Sequence, residues 1–175
     1  KSQEELVEKS LANPYGSPSL EELCAGKKDI VIISSDHTRP VPSRVTMPIL
    51  LHHIHSAAPE ARVRILVATG MHRPSTHEEL VNKYGEEIVA NEEIVMHVAT
   101  DDSMMKKIGT LPSGGECIIN KIAADCDLLL AEGFIEPHFF AGFSGSRKSV
   151  LPGIASYKTI MYNHNGQFVN CLLYT

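Results

Sequence analysis

Apolar and polar positions fall into blocks whose period switches between helix-like and strand-like along the chain. Residues 2–12 set Leu6, Val7 and Leu11 at helical spacing and predict a helix, which the run Asn13-Pro14-Tyr15-Gly16-Ser17-Pro18 ends. Ser19 opens a short second helix, SLEELCAG, with Glu22 at the capping-box position and Gly26 as its stop. Residues 30–33 are a continuous β-branched run, the pattern of a strand buried on both faces and hence parallel to its neighbours. The run ends in the polar cluster 34–40. Residues 42–57 predict a helix with proline at its start and Val45, Ile49, Leu50 and Ile54 as its apolar positions.

The same order then recurs. Residues 62–70 read as a second strand that ends in a polar turn at 70–76. Residues 76–85 read as a helix capped by Thr76 with Glu79 closing the box. A third strand is predicted over 92–100, and a fourth over 127–133, running into Phe134-Ile135-Glu136-Pro137-His138. Residues 115–126 fit either a helix or a strand–helix pair. A glycine-rich loop, FAGFSGSRKSVLPG, precedes a final helix that reaches about Asn163. Strand, polar turn and helix in repetition predict a single α/β domain over residues 1–175, Rossmann-like, with a mostly parallel sheet and flanking helices. Such sheets bind ligands beyond the carboxyl ends of their strands, where the clusters 36–39, 72–76 and 136–138 fall. The apolar end CLLYT has neither caps nor a partner element, and is read as a break inside a longer polypeptide.

Composition narrows the function. With 43% hydrophobic and 21% charged residues, the 175-residue chain is that of a folded domain. It has no Trp and 6% aromatics, which argues against a stacking platform for nucleic acid, and its net charge of −5 argues against binding polyanions by bulk charge. No apolar run approaches the roughly 20 residues of a membrane span. The N-terminal KSQEELVEKSL is too charged for a secretory signal. Cys24, Cys117, Cys126 and Cys171 lack C-x₂-C spacing and read as reduced thiols, which places the expected location in the cytoplasm.

The candidate chemistry sits in the strand-end turns. The loop GFSGSRKS departs from the phosphate-loop spacing; it is either a solvated loop or an anion site built from backbone N–H groups and Lys148. His72 and His138 stand at two strand ends, either as surface histidines or as a pair able to exchange protons with one ligand near neutral pH. Arg39 suits a carboxylate or phosphate by paired hydrogen bonds, the alternative being a surface pair with Asp36. His164 alone is a weak metal candidate. His52, His53 and His55 lie on the third helix with no Asp or Glu nearby in sequence, and read as exposed or core-edge histidines.

The strings SSDHTRPVP (34–42), ATGMHRPST (68–76), IEPHFFAGFSGSRKSVLPG (135–153) and YNH (162–164) together resemble the nickel-pincer lactate racemase family, in order and at similar separations. The likeness covers the chain from about Asn13 to His164. It implies racemisation or epimerisation of a small 2-hydroxy acid by a nickel pyridinium-3,5-bisthiocarboxylate mononucleotide covalently bound through Lys148. The one protein ligand to nickel matches His164; sulfur donors and an imidazole suit square-planar Ni(II). The acid/base pair matches His72 and His138. Arg39 matches the substrate-carboxylate residue, and Asp36, His37, Thr38 and Arg39 match the stretch that lines the cofactor. The implied reaction passes the Cα hydride to the pyridinium ring, leaving a planar 2-keto acid, and returns it to the other face. One histidine on each side handles the hydroxyl proton.

Two departures stand out. Ser146 replaces the second of two adjacent glycines in the family loop. The family's closing C-terminal domain, the expected partner of this one, lies outside the chain, so the fragment alone is expected to turn over little. A second reading of the same residues is a non-catalytic α/β domain that binds an anionic small ligand or Ni(II).

Overall fold

The β-branched run at residues 30–33 becomes the middle of a sheet. The computed structural model describes residues 1–138 and 142–166. Its helices are α1 (Gln3–Leu11), α2 (Leu20–Cys24), α3 (Ser43–Ala57), α4 (His77–Tyr84), α5 (Glu86–Asn91), α6 (Lys121–Asp125) and α7 (Tyr157–Asn163). Its strands are β1 (Asp29–Ser35), β2 (Arg62–Ala68), β3 (Glu93–Met96), β4 (Met105–Thr110), β5 (Glu116–Asn120), β6 (Leu128–Glu132), β7 (Pro137–His138) and β8 (Gly142–Phe143). The main sheet runs β3-β2-β1-β6, and every pairing in it is parallel.

Side chains alternate across the sheet and build a core on each face. Ile30 and Ile32 of β1, with Val63, Ile65 and Val67 of β2, pack against Leu20, Cys24, Met47, Leu51 and Ile54 of α2 and α3. Val31, Ile33 and Leu66 point the other way, onto Ile119, Ala123 and Ile154. The capping boxes expected at Ser19/Glu22 and Thr76/Glu79 are both formed.

Several elements depart from the sequence reading. On α3 the buried stripe is Ser43, Met47, Leu51 and Ile54. Val45, Ile49 and Leu50 are half-buried at its edge, because the sheet takes the stripe that follows one i, i+4 row. Residues 115–126 resolve into strand β5 followed by helix α6. β5 pairs antiparallel with β4, a strand whose sequence MKKIGT is almost wholly exposed and carries no strand alternation. β3 stops at Met96 because the next residue turns its ring inward. His97 is fully buried; its Nε2–H donates to the Ala155 carbonyl (3.0 Å), and its Nδ1 accepts from the Asn120 side-chain amide (3.3 Å).

Cys24, Cys117 and Cys126 are free thiols, while Cys171 lies outside the described residues. Among the described residues, no helix is long and apolar enough to cross a membrane.

Met47 is fully enclosed between α3 and the sheet. Met47→Ala is expected to cost about 2–5 kcal/mol in chemical denaturation; an unchanged midpoint would mean that α3 does not rest on this stripe.

Candidate active site

The strand order reverses at β1: the chain passes from β1 outward to β2 and β3, then returns to β6 on the other side of β1. A crevice opens beyond the carboxyl ends of strands at such a switch point. Here it is a cleft of about 290 Å³. Ser35, Asp36 and Arg39 line it from the end of β1, and Thr69, Gly70 and His72 from the end of β2. The end of β6 adds Phe134 and His138, the glycine-rich loop adds Gly145 and Lys148, and α7 adds His164 from its C-terminal end.

Six of the residues singled out from sequence thus meet around one space: Asp36, Arg39, His72, His138, Lys148 and His164. Of the 36–39 stretch, Asp36 and Arg39 line the cleft and His37 and Thr38 stand behind them. The His37 ring turns to the Ser75 hydroxyl (3.0 Å) and lies 3.7 Å from Glu79. Thr38 folds back on Asp36, its hydroxyl and N–H both donating to Oδ1 (2.6 and 3.0 Å). The surface pair considered between Asp36 and Arg39 is not formed. Arg39 instead faces Glu136 at 3.7 Å.

Asp36 is buried and holds His72: the ring Nδ1–H donates to Oδ2 at 2.6 Å. Burial alone would raise the proton affinity of this carboxyl. The Thr38 hydroxyl, His72 and the Thr38 amide outweigh it and hold Asp36 below the ordinary carboxylate range. The turn beyond His72 is fixed by Arg73, which grips Glu79 at two points (2.8 and 2.6 Å) and holds that carboxyl down to about 2.

The cleft also gathers basic groups, Arg39, His138 and Lys148. Burial, then the neighbouring Arg39, lower the proton affinity of the Lys148 amine, while Glu136 opposes them. Burial also lowers that of His138, followed by the charges of Lys148 and Arg39. In His164, Nδ1 lies 3.1 Å from the Ile160 carbonyl. A carbonyl only accepts, so Nδ1 is the donor in this contact.

The loop that carries Lys148 is strapped to the β6 end. The Ser144 hydroxyl donates to the Phe134 carbonyl (2.7 Å), and the Glu136 N–H donates to that hydroxyl (3.1 Å). Gly145 has φ +71°, and a Cβ there would stand 2.8 Å from the Phe134 carbonyl oxygen, so the close approach requires glycine. The Ser146 side chain and residues 139–141 of the same motif lie outside the described set.

Sequence reasoning did not find the buried supports of this site. Thr69 donates to the His97 carbonyl (2.6 Å), Gly70 N–H to Gly153 (2.9 Å), and Asn120 N–H to Ile154 (2.9 Å). His97 therefore ties the β2 turn to the segment between Lys148 and α7. Glutamates do meet the α3 histidines, but from remote parts of the chain. His53 bonds both Glu8 and Glu21, and His55 bonds Glu92. None of these histidines lines the cleft. Among the described residues, no three or more His, Cys, Asp or Glu side chains form a metal cluster.

Fold and cleft together define an α/β domain with a cleft at its switch point that Arg39, Lys148 and three histidines line. The chain belongs to the lactate racemase family: residues 1–171 match the lactate racemase N-terminal domain. It is 76% identical over 169 residues to the lactate racemase of Lactiplantibacillus plantarum, covering 97% of this chain and 40% of that protein. It is 56% identical over 168 residues to the lactate racemase of Thermoanaerobacterium thermosaccharolyticum, covering 96% of this chain and 39% of that protein. The chain thus spans about 40% of the length of these curated relatives. The solved structure of the T. thermosaccharolyticum lactate racemase apoprotein superimposes with a TM-score of 0.95, over 97% of this chain and 40% of that one. A Thermotoga maritima protein, 23% identical, shares the fold with a TM-score of 0.74 over 90% of this chain and 40% of its own.

His97→Phe is expected to lower stability at neutral pH by about 1–3 kcal/mol, since it orphans the Ala155 carbonyl and the Asn120 amide. Burial lowers the proton affinity of the native His97 ring, which stays neutral while the unfolded ring protonates near 6.5. Its contribution is therefore complete above that pH and falls as pH drops below it. Urea titrations of parent and variant should converge toward acid; a gap constant from pH 7.5 to 5 would contradict the neutral, doubly bonded ring.

Proposed function

We propose that this chain is the cofactor-binding N-terminal part of a two-domain lactate racemase that interconverts the enantiomers of a lactate-type 2-hydroxy acid. The observation that carries the reading is the gathering of His72, His138, Arg39, Lys148 and His164, remote from one another in sequence, around one cleft. The relatives named lactate racemase support the reaction class.

The donor set suits a nickel pyridinium-3,5-bisthiocarboxylate mononucleotide. When bound, that group supplies the hydride acceptor and a nickel centre that needs one imidazole from the protein. Lys148 would tether it: burial and Arg39 enlarge the uncharged, nucleophilic fraction of its amine. His164 would hold the nickel through Nε2, since Nδ1 donates to the Ile160 carbonyl, a backbone support usual for metal-binding imidazoles. Asp36 and Arg39 would line the group, with His37 and Thr38 shaping their loop from behind.

The remaining steps belong to the chain's own side chains. Arg39 offers its planar fork to the substrate carboxylate and stabilises charge that builds on the oxygens. His72, held through Nδ1 by Asp36, presents Nε2 to the substrate hydroxyl and takes or returns its proton. His138 does the same for the opposite enantiomer, so each direction has its own base and acid.

In the intact, cofactor-loaded protein, His72→Ala and His138→Ala should each lower racemisation about 10²–10⁴-fold in both directions while nickel content is retained. His164→Ala should lose nickel by elemental analysis, and Lys148→Ala the covalent adduct by mass spectrometry. Racemisation by His72→Ala at the parent rate would overturn the two-base scheme.

A further inference from the structure

Behind the cleft lies a polar layer with two charged side chains that the proposed function leaves without a role. Lys83, near the C-terminal end of α4, is half-buried, and its ammonium donates to the hydroxyl of Ser35 (3.4 Å), a residue of the cleft wall. Glu132, the last residue of β6, is buried and accepts hydrogen bonds from Ser34 (2.7 Å), Ser43 (2.9 Å) and Thr46. These bonds pin Glu132 to β1 and to the first turn of α3. Asp36 and Glu132 are thus two buried carboxylates just beyond or at the ends of adjacent strands; burial lowers the proton affinity of the Lys83 amine, and the two carboxylates oppose that loss.

Around the Asp36–His72 pair, Glu132 lies on β6 opposite Ser34, two residues before Asp36, and Lys83 and Tyr84 of α4 feel the Asp36 charge. Tyr84 is buried and feels the same two carboxylates. Arg73 acts on Asp36 from the adjoining turn. Arg39 and Lys148 share the cleft with it.

Packing alone gives no reason for an ammonium here, since burying one is costly and an apolar side chain would fill the same space. Charge gives one. A second buried carboxylate near Asp36 strengthens the pull of that pair on a proton, and a cation weakens it. A histidine that must both take and give a proton needs neither influence to dominate.

We propose that Lys83 and Glu132 form an opposed charge pair behind the cleft that sets how readily the Asp36–His72 pair takes up a proton, which makes Lys83 a positioning residue acting through Asp36. Its place in racemisation rests on the function proposed above; the charge coupling does not.

The test is a pH titration of the intact protein labelled with ¹⁵N-histidine, following the ring nitrogens of His72. In Lys83→Met the midpoint of the pair should move to higher pH by about 0.5 unit or more. In Glu132→Gln it should move to lower pH, and Lys83→Arg should stay near the parent. Opposite signs from two neighbouring neutralisations are not produced by simple loosening of the layer. Midpoints within about 0.2 unit of the parent in both neutral variants, or displaced the same way, would overturn the proposal. If Lys83→Met fails to fold, Lys83→Gln takes its place, and an upward or unchanged midpoint in Glu132→Gln overturns the proposal by itself. In the loaded enzyme the acidic limb of the pH–rate profile should follow the same shifts. The titration reads the charge coupling even in a protein that racemises nothing, so the two readings fail separately.

Discussion

Parallel pairing of β1 with both β2 and β6 is the constraint on which the site depends. Because the three strands run the same way, their carboxyl ends emerge at one edge. The chain beyond each must turn there, and those turns carry Asp36 and Arg39, His72, and His138. An antiparallel β6 would deliver His138 to the far edge. Strand alternation then sorts the residues that remain. Ser34 faces the buried layer and bonds Glu132, while its neighbour Ser35 faces the cleft. One element thus supplies the wall of the site and the polar support behind it.

The electrostatics follow from crowding cations in a half-buried space. Arg39 keeps its charge under any ordinary condition, so the cost of proximity falls on groups that can shed a proton. Burial first, and the neighbouring cations after it, make Lys148 and His138 shed a proton more readily. Arg39 thus keeps its positive charge in the cleft, while the amine and the imidazole hold their protons less tightly. Glu136, 3.7 Å from Arg39, restrains the effect from the rim. At His72, Asp36 provides the reverse environment, an anion bonded directly to an imidazole. His72 and His138 thus have unlike surroundings although they would perform mirror-related tasks.

What could be read from sequence was local. The β-branched run announced the central strand, and the boxes at Ser19/Glu22 and Thr76/Glu79 marked helix starts through bonds three residues apart. The strand-end clusters marked the site because parallel sheets put ligands there. What escaped depended on contacts between remote positions. The α3 stripe was chosen by the sheet it packs on. β4 has no apolar alternation and exists through β5. Glu8 and Glu21 lie 45 and 32 residues from His53, and Glu132 lies 98 residues from Ser34. Buried polar groups such as His97 and Glu132 leave no periodic trace, since their partners are single atoms on other elements.

Lys148 and His164 sit on one stretch of chain, and that stretch is fastened at short intervals. Gly145 packs on the Phe134 carbonyl, and Gly153 accepts from Gly70. Ala155 takes the His97 ring proton, Ser156 donates to Ile118, and Tyr157 donates to Ala99 before α7 carries the chain to His164. The cofactor proposed above, tethered at one end and coordinated at the other, would tolerate little slack between two such anchors. Free loops would let that separation drift. Here each anchor is referred back to the main sheet or its flanking β5 through backbone bonds, so the distance between them is a property of the fold. The polar interior around His97 and Asn120 is what makes those references possible, because it lets an irregular segment cross the end of the sheet with its backbone groups bonded.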